Sequence, residues 1–254
     1  MTIDLAGKTA LVTGASRGIG RSIALAYAAA GADVALLARS AERLEEVASE
    51  VGALGRSAVV LVADVTDADA IATAVGTAIS SLGHLDVVVN NAGGNSFMSP
   101  FVGMRFSGWQ KTMQLNLDST VHVCQAVGPH LVERGTGSVI NVASVAGLGA
   151  TPFMSHYGAA KAAVLSLTRS LAVEWAHAGV RVNALVPGWV ATDLTDFART
   201  NEEVGQQLIS RVPMARWATA EEMSGPAVFL ASDASSFMTG QALVIDGGLS
   251  VASM

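Results

Sequence analysis

The chain has 254 residues, of which 51% are hydrophobic and only 14% charged, and its formal net charge is −6. This composition supports a large buried core, and an acidic balance without any basic run argues against nucleic acid or an anionic membrane surface as a partner. No apolar run reaches the roughly 18 residues that cross a bilayer, no signal peptide is visible, and the single cysteine, Cys124, is expected to be a buried hydrophobe, so we expect a cytoplasmic protein.

Seven short runs rich in apolar and β-branched residues predict buried parallel strands. In chain order they are residues 9–12, 33–37, 58–62, 87–90, 138–142, 181–185 and 243–245. The stretches between them predict helices at residues 18–30, 41–51, 67–82, 107–133, 157–177 and 221–231. This alternation implies right-handed crossovers, so the sequence predicts one α/β domain, residues 1–254, with a doubly wound sheet of seven parallel strands and helices on both faces.

Two stretches interrupt the alternation, residues 95–108 and residues 189–217. Both leave from the carboxyl ends of predicted strands, where open α/β sheets bind their ligands. We interpret both as walls of a substrate pocket, and the second as a mobile lid. Their large apolar side chains favour an apolar or acyl-chain substrate, unless half of them face the core or a subunit interface. These side chains are Phe97, Met98, Phe101, Met104, Phe106, Phe197 and Trp217.

A glycine-rich turn joins the first predicted strand to the first predicted helix. Gly14, Gly18 and Gly20 are spaced Gly-x-x-x-Gly-x-Gly, which differs from the usual dinucleotide fingerprint. Glycines at such a junction let the backbone approach a pyrophosphate, and a helix N-terminus favours the anion. The alternative is a turn that merely caps the helix, but its position after the first strand favours nucleotide binding.

The end of the second strand bears on the choice of nucleotide. An NAD site needs an acidic group here to bind the ribose 2′-hydroxyl, and Ala38 cannot supply one. Arg39, together with Arg17 in the glycine-rich turn, is instead suited to a 2′-phosphate. The sequence therefore favours NADP(H) over NAD(H), whereas a solvated Arg39 would leave the preference open.

Two further strand ends carry candidate cofactor contacts. Asp64 follows the third strand and either accepts from the adenine amino group, with Val65 donating through its backbone, or only shapes the turn before the next helix. Residues 90–93 read Asn-Asn-Ala-Gly after the fourth strand. Small residues here allow close approach of a cofactor and the Asn side chains can tie strand ends together, although the motif alone also fits a simple turn.

Tyr157 and Lys161 lie four residues apart in a predicted helix, and so on one face of it. A phenol with a pKa of about 10 is a poor acid or base near neutral pH, and a neighbouring cation lowers that pKa. Ser144 follows the fifth strand and can hold a substrate oxygen against the Tyr157 hydroxyl. The pair alone fits mere helix neighbours; the motifs in the rest of the chain favour a reaction centre.

Together these residues resemble the short-chain dehydrogenase/reductase superfamily, in its 3-oxoacyl carrier-protein reductase branch. The matching pieces run in the family's order over nearly the whole chain: Thr13–Gly20, Asp64, residues 90–93, Asn116, Ser144, Tyr157 with Lys161, Pro187-Gly188 with Thr192, and Asp246-Gly247-Gly248. The resemblance implies a Rossmann-type fold and an NAD(P)-dependent oxidoreductase that interconverts a ketone, such as a 3-oxoacyl group, and a secondary alcohol by hydride transfer. No metal is expected.

The resemblance also implies residue roles. Tyr157 is the general acid in reduction and the general base in oxidation, Lys161 lowers its pKa and binds the nicotinamide ribose, and Ser144 orients the substrate oxygen. Asn116 disrupts its helix and holds a water that links Lys161 to solvent; without the family it would be a polar mid-helix residue facing water. The candidate cofactor-binding residues are Gly14, Ser16, Arg17, Gly18, Ile19, Gly20, Arg39, Asp64, Val65, Asn91, Ala92, Gly93, Tyr157, Lys161, Pro187, Gly188, Val190 and Thr192.

The chain departs from the oxoacyl reductases after Asn-Asn-Ala-Gly, where they usually have an aliphatic residue and this chain has Gly94-Asn95-Ser96. In this respect it is similar to enoyl- and dienoyl-thioester reductases. Because those enzymes lack the full Ser/Tyr/Lys set, we favour carbonyl–alcohol chemistry. Trp217 either covers the substrate or only packs. His156 points about 100° away from Tyr157 in a helix, which favours a structural or pocket-rim role over a proton relay.

The predicted helix 157–177 is apolar on almost every side, and the helix 107–133 has long apolar stretches. A helix that flanks one sheet should keep one polar face. We therefore expect both helices to pack against a partner subunit, and the resemblance implies a homotetramer or dimer; the alternative is a monomer whose own loops cover them.

Other functions fit the same fold. They are an NAD-dependent alcohol or sugar dehydrogenase, a non-catalytic dinucleotide-binding sensor, and a dehydratase or epimerase. The intact Ser144, Tyr157 and Lys161 set argues against the sensor. The chain length argues against the last class, whose members commonly carry more substrate-binding sequence.

Overall fold

A computed structural model describes residues 3–252 of the chain. Its centre is one sheet of seven parallel strands in the order β3-β2-β1-β4-β5-β6-β7. The strands are β1 (Thr9–Thr13), β2 (Asp33–Ala38), β3 (Ala58–Val62), β4 (Val87–Asn90), β5 (Gly137–Val142), β6 (Val180–Pro187) and β7 (Ala242–Ile245). The prediction of seven parallel strands is confirmed, with every boundary within two residues.

The apolar runs reflect burial of the sheet on both faces. Residues of β1 and β4 are buried throughout, because helices cover both sides and a neighbouring strand lies on each edge. The outermost strands, β3 and β7, pair on one edge only and are largely half-exposed. Val62, at the end of β3, has 58% of its surface exposed.

Two helical layers sandwich the sheet. The longer helices are α1 (Gly18–Ala29), α2 (Ala41–Ala53), α3 (Ala68–Leu82), α4 (Phe106–Met113), α5 (Ser119–Arg134), α6 (Ser155–Trp175) and α9 (Ser224–Ala231). On one face, α1, α2 and α9 share a core that contains Tyr27, Val47 and Leu230. On the other, α3, α5 and α6 share a core with Val75 and Val127.

The predicted helix 107–133 is not continuous. After α4 the backbone forms a π-helical segment, Gln114–Asp118, before α5 begins at Ser119. Such a segment inserts one residue into a helix and is frequent at functional sites. Asn116 lies at its middle.

The stretch 189–217 also contains more structure than the sequence predicts. Two short helices, α7 (Asp196–Arg199) and α8 (Glu202–Ile209), lie within it. An isolated bridge joins Val190 to Ala218 where the stretch begins and ends. Short 3-10 turns are found at Phe101–Gly103, Val145–Gly147, Ala176–Ala178, Asp193–Thr195, Glu221–Met223 and Asp233–Ser235.

The strand order reverses between β1 and β4, because the chain proceeds from β1 towards β2 on one side and from β4 towards β5 on the other. Ligands of open α/β sheets bind beyond the carboxyl ends of the strands at such a point. Within residues 3–252, no helix combines the length and apolarity needed to cross a membrane.

Candidate active site

A cleft of about 750 Å³ lies above the carboxyl ends of the strands. It contains most of the residues that the sequence singled out: Gly14, Ser16, Arg17, Gly18, Ile19, Arg39, Asp64, Val65, Asn91, Ala92, Gly93, Ser144, Tyr157, Lys161, Pro187, Gly188, Val190 and Thr192. Two predicted residues, Gly20 and Asn116, do not line the cleft. They contact residues that do, Asn91 and Gly94 respectively.

The glycine-rich turn requires glycine for two reasons, its backbone conformation and its close packing. Gly14 and Gly18 have φ of +66° and +53°, in the left-handed region that favours glycine. At Gly20, a Cβ would collide with the Gly14 carbonyl and the Asn91 amide. The turn therefore packs directly against the segment after β4.

Hydrogen bonds join the ends of β1 and β4, the two strands between which the strand order reverses. The Thr13 hydroxyl accepts from the backbone N–H groups of Asn91 and Ala92, both at 3.0 Å. The Asn91 amide donates back to the Thr13 carbonyl at 2.9 Å. Thr13 was part of the predicted motif, and its role is to fix the floor of the cleft.

The start of α1 fits a bound pyrophosphate. Its N-cap residue, Arg17, makes no side-chain capping bond, so the first-turn N–H groups have no such partner. Gly18 and Ile19 line the cleft at this point. Free N–H groups at a helix N-terminus, beside glycines that allow close approach, suit the phosphates of a dinucleotide.

At the far end of the cleft, charged residues surround the end of β2. Arg39 has a highly exposed side chain and lies 3.8 Å from a carboxylate oxygen of Asp64. Arg43 also lines the cleft here, although the sequence analysis did not include it. The other Asp64 oxygen accepts from the backbone and hydroxyl of Thr66, and the Thr66 backbone bond is the main cause of the lowered Asp64 pKa. Asp64 therefore shapes a turn and also faces the cleft.

Arg17 pairs with a carboxylate that the sequence did not indicate. Its guanidinium pairs with Asp193 at 2.6 Å. Asp193 lies near the start of the stretch 189–217, so this ion pair joins the glycine-rich turn to the predicted lid across the cleft. No sequence pattern could connect residues so far apart in the chain.

The reaction end brings Ser144, Tyr157 and Lys161 together. Lys161 is buried, and its ammonium lies 5.7 Å from the centroid of the Tyr157 ring and donates to the Val142 carbonyl at 2.9 Å. Burial lowers the Lys161 pKa to about 8. Burial also raises the Tyr157 pKa, and a hydrogen bond with Ser144 opposes that rise. The net direction is the reverse of the predicted one, because burial disfavours the charged phenolate.

Asn116 is completely buried and does not face water. Its side chain accepts from the Gly94 N–H at 2.9 Å and donates to the Gly94 carbonyl at 2.8 Å. It also donates to the Thr112 carbonyl of α4, at 3.0 Å, just before the π-helical segment. A Cβ on Gly93 would lie 2.8 Å from Asn116 Oδ1 and 3.2 Å from Lys161 Nζ, so both polar atoms border the same small space.

The sequence indicated that Asn side chains of residues 90–93 tie strand ends together, but not that a buried polar chain continues from Asn90 to α6. Asn90 donates to Asn141, which donates to Thr168 on α6, both at 2.9 Å. This chain ties β4 and β5 to the helix that carries Tyr157. The available signal was an asparagine inside each of two apolar strands.

The substrate walls are only partly as predicted. Asn95, Ser96, Leu194 and Phe197 line the cleft beside the reaction end. Trp217 does not line it and packs edge-on against Trp189, with ring centroids 5.7 Å apart. The packing interpretation of Trp217 therefore holds.

Comparisons with known proteins agree with this geometry. A sequence profile for the family described as enoyl-(acyl carrier protein) reductase matches residues 14–250. A gluconate 5-dehydrogenase of Gluconobacter oxydans is 41% identical over 248 residues, which cover 98% of this chain and 96% of that protein. A 3-oxoacyl-(acyl-carrier-protein) reductase of Staphylococcus aureus is 38% identical over 246 residues, covering 95% of this chain and 98% of that protein.

Solved structures show the same architecture. A gluconate 5-dehydrogenase from Burkholderia cenocepacia, in complex with NADP and tartrate, superimposes with a TM-score of 0.95 at 36% identity, covering 99% of this chain and 98% of that chain.

Proposed function

The chain belongs to the short-chain dehydrogenase/reductase superfamily, and we propose that within it Tyr157 passes the proton while NADP(H) is the preferred cofactor. As a member, the protein is an NAD(P)-dependent oxidoreductase that interconverts ketones and secondary alcohols. The observation that carries the proposal is the convergence of Ser144, Tyr157 and Lys161 at one end of a cleft whose other end fits a dinucleotide.

The proposed mechanism assigns one task to each polar group. A bound nicotinamide supplies or accepts the hydride. The Ser144 hydroxyl holds the substrate oxygen, and the Tyr157 hydroxyl donates a proton to it in reduction and takes one back in oxidation. Lys161, whose pKa is about 8, is mainly protonated at neutral pH, so its charge stabilises the tyrosinate that remains after proton transfer.

Asn116 is proposed to link Lys161 to solvent. Its Oδ1 and the Lys161 ammonium border the space beside Gly93, and a water there would find polar partners on both sides. Because its side chain also forms two hydrogen bonds with the backbone of Gly94, Asn116 fixes the position of Gly94 in the cleft wall.

The preference for NADP(H) rests on the charges near the end of β2. Ala38 offers no carboxylate to a ribose 2′-hydroxyl, while Arg39 and Arg43 face the cleft. Two guanidinium groups there suit a 2′-phosphate. Arg17, paired with Asp193, contributes to closure more than to this choice.

We propose a neutral, apolar carbonyl compound as the substrate, with a 3-oxoacyl group as the leading candidate. Among the described residues that line the reaction end, Lys161 is the one cation, and it is buried and bound to Val142, so a free carboxylate such as that of gluconate has no partner. Leu194 and Phe197 line the cleft, and Met98, Phe101, Phe106 and Phe153 are exposed near residues 95–108. A polyol or sugar is the second candidate, because Asn95 and Ser96 add polar groups to the wall.

The remaining proposals concern organisation. We propose a single domain over residues 1–254 in which residues 189–217 act as the lid, supported by the Arg17–Asp193 pair across the cleft. We also propose a homotetramer or dimer, supported by an exposed stripe of small or apolar residues on α6: Ala162, Ser166, Ser170 and Val173. The buried Cys124 is compatible with the cytoplasm, which we propose as the location.

A substrate panel tests the proposed function. Oxidation of NADPH and NADH is followed with 3-oxoacyl thioesters, cyclic ketones, ketoses and 5-ketogluconate. We expect the highest kcat/KM with NADPH and an apolar ketone or thioester. Highest activity with 5-ketogluconate would overturn the substrate proposal, and a preference for NADH would overturn the cofactor proposal.

A further inference from the structure

The segment after β4 forms the substrate-side wall of the cleft without any regular structure of its own. Residues 91–100 contain neither helix nor strand, yet Gly94, Asn95 and Ser96 line the cleft. Such a segment keeps one conformation only if other elements hold it. The surrounding contacts show what does so.

Residues from α4 and α6 hold the segment at successive positions. The imidazole of His156 on α6 lies with Nε2 3.0 Å from Asn95 Oδ1. The same ring stacks on Phe97, with centroids 4.2 Å apart and an interplanar angle of 16°. At the tip of the Phe97 ring, Gly108 of α4 leaves so little space that a Cβ there would lie 2.9 Å from Phe97 Cζ.

His156 is suited to this contact because it is completely buried. Burial lowers its pKa, which favours the neutral imidazole. Nδ1 has no hydrogen-bond partner within residues 3–252, so the tautomer with hydrogen on Nε2 is the one that donates to Asn95. The ring therefore offers one donor to Asn95 and one flat face to Phe97, both in the same segment.

We infer that His156 is a positioning residue, which fixes Asn95 and Phe97 against the helix that carries Tyr157 and thereby sets the substrate wall. His156 does not touch the reacting atoms, and it acts through residues 94–97. The inference rests on the proposed function only in calling this wall the substrate side. We call the contacts of His156 with Asn95 and Phe97 the anchor. Loss of the anchor should raise the KM for the carbonyl substrate more than it lowers kcat, and should leave cofactor binding unchanged.

Three variants separate the two contacts. His156→Phe keeps a ring against Phe97 but removes the donor, His156→Gln keeps a donor near the Nε2 position, and Asn95→Ala removes the acceptor. His130→Phe is the matched control, because His130 accepts from the Leu85 N–H just before β4, at the end of the strands opposite the cleft. We expect His156→Phe and Asn95→Ala to raise KM about tenfold, equivalent to about 1.4 kcal/mol, with little change in the Kd of NADPH. His156→Gln should recover most of the loss, and His130→Phe should leave KM unchanged.

The double variant tests the contact itself. If the two side chains act through one hydrogen bond, His156→Phe with Asn95→Ala should be no worse than either single variant. Additive effects, or a wild-type KM in His156→Phe, would overturn the inference. A fall in thermal stability with unchanged KM would assign His156 a purely structural role and would also overturn it.

Hydrogen exchange provides a readout that needs no substrate. In both His156→Phe and Asn95→Ala, peptides covering residues 93–104 should exchange faster, while peptides from the second half of α6 should not. Unchanged exchange of residues 93–104 contradicts the anchor even if no ketone is reduced. A wild-type protein that reduces no carbonyl compound, with faster exchange in the variants, contradicts the proposed function and leaves the anchor standing.

Discussion

The ammonium of Lys161 donates a hydrogen bond of 2.9 Å to the backbone carbonyl of Val142, at the end of β5. This bond joins the helix of the reaction centre to the sheet beneath the cleft. The surrounding burial lowers the Lys161 pKa from 10.5 to about 8. A buried cation disfavours folding for as long as it stays charged.

The first prediction concerns stability as a function of pH. Below pH 8 Lys161 is protonated in the folded and unfolded states, so the full cost of burying its charge is present. Between about 8 and 10.5 the unfolded chain binds more protons than the folded one, and stability should rise with pH. The free energy of unfolding of wild type minus that of Lys161→Met should therefore increase by up to about 1.4 kcal/mol per pH unit in this window.

Urea unfolding at pH 7 and pH 9.5 measures this difference, because other titrating groups cancel between the two proteins. Lys111→Met is the control, since Lys111 is exposed on α4. Its difference from wild type should not depend on pH in the same way. If the difference between wild type and Lys161→Met is as independent of pH as the difference for Lys111→Met, the ammonium of Lys161 is not desolvated.

The second prediction concerns the proton donor. Tyr157→Phe removes the hydroxyl and leaves the ring, so folding and NADPH binding should persist. Turnover should fall by about 10²–10⁴-fold, the usual contribution of a positioned acid or base. Stopped-flow oxidation of NADPH measures this loss, and fluorescence titration checks cofactor binding. Turnover close to that of wild type would remove Tyr157 from the mechanism.

The third prediction compares two helical glycines. Gly20 lies on α1 where the Gly14 carbonyl and Asn91 amide leave no space for a Cβ, whereas Gly76 on α3 has no atom within 4 Å of that position. Gly20→Ala should destabilise the protein by about 1–3 kcal/mol and weaken NADPH binding, because the turn must move. Gly76→Ala should stabilise it by up to about 1 kcal/mol. Thermal unfolding distinguishes the two, and equal shifts would contradict the close packing at Gly20.

The fold was largely predictable because its signals are local. Each strand is an apolar run, and burial on both faces makes that run uninterrupted. The break at Gln114–Asp118 was not visible as periodicity, because inserting one residue into a helix changes its face without changing its composition. There, only the family resemblance around Asn116 pointed to a disruption.

The site was predictable where residues act through fixed positions at strand ends. It was not predictable where long-range partners compete for the same side chain. Arg17 suited a phosphate by its position, but the structure pairs it with Asp193 of the stretch 189–217. The pKa of Tyr157 depends in the same way on its degree of burial, which is not encoded in the spacing to Lys161.

The fourth prediction concerns cofactor choice. Replacing both Arg39 and Arg43 by Gln removes the cations that face the cleft near β2. The ratio of kcat/KM with NADPH to that with NADH should fall about tenfold to a hundredfold, as expected for lost charge-assisted hydrogen bonds. Arg56→Gln is the control, because Arg56 pairs with Asp33 at the opposite ends of the strands. An unchanged ratio in the double variant would contradict the prediction. It would mean that other residues bind the 2′-phosphate or that the enzyme does not prefer NADP(H).

The last prediction concerns the exposed stripe of α6. Ala162, Ser166, Ser170 and Val173 follow helical spacing, and Val173 has 80% of its surface exposed. Small residues in such a stripe allow a second helix to approach closely, so Ser170→Arg should place a charge inside the proposed subunit contact. Sedimentation velocity should then show a smaller species than wild type, whereas Ala72→Arg on the exposed face of α3 should not change the mass. A wild-type protein that sediments as a monomer at micromolar concentration would overturn the assembly, and an unchanged oligomer in Ser170→Arg would move the contact away from α6.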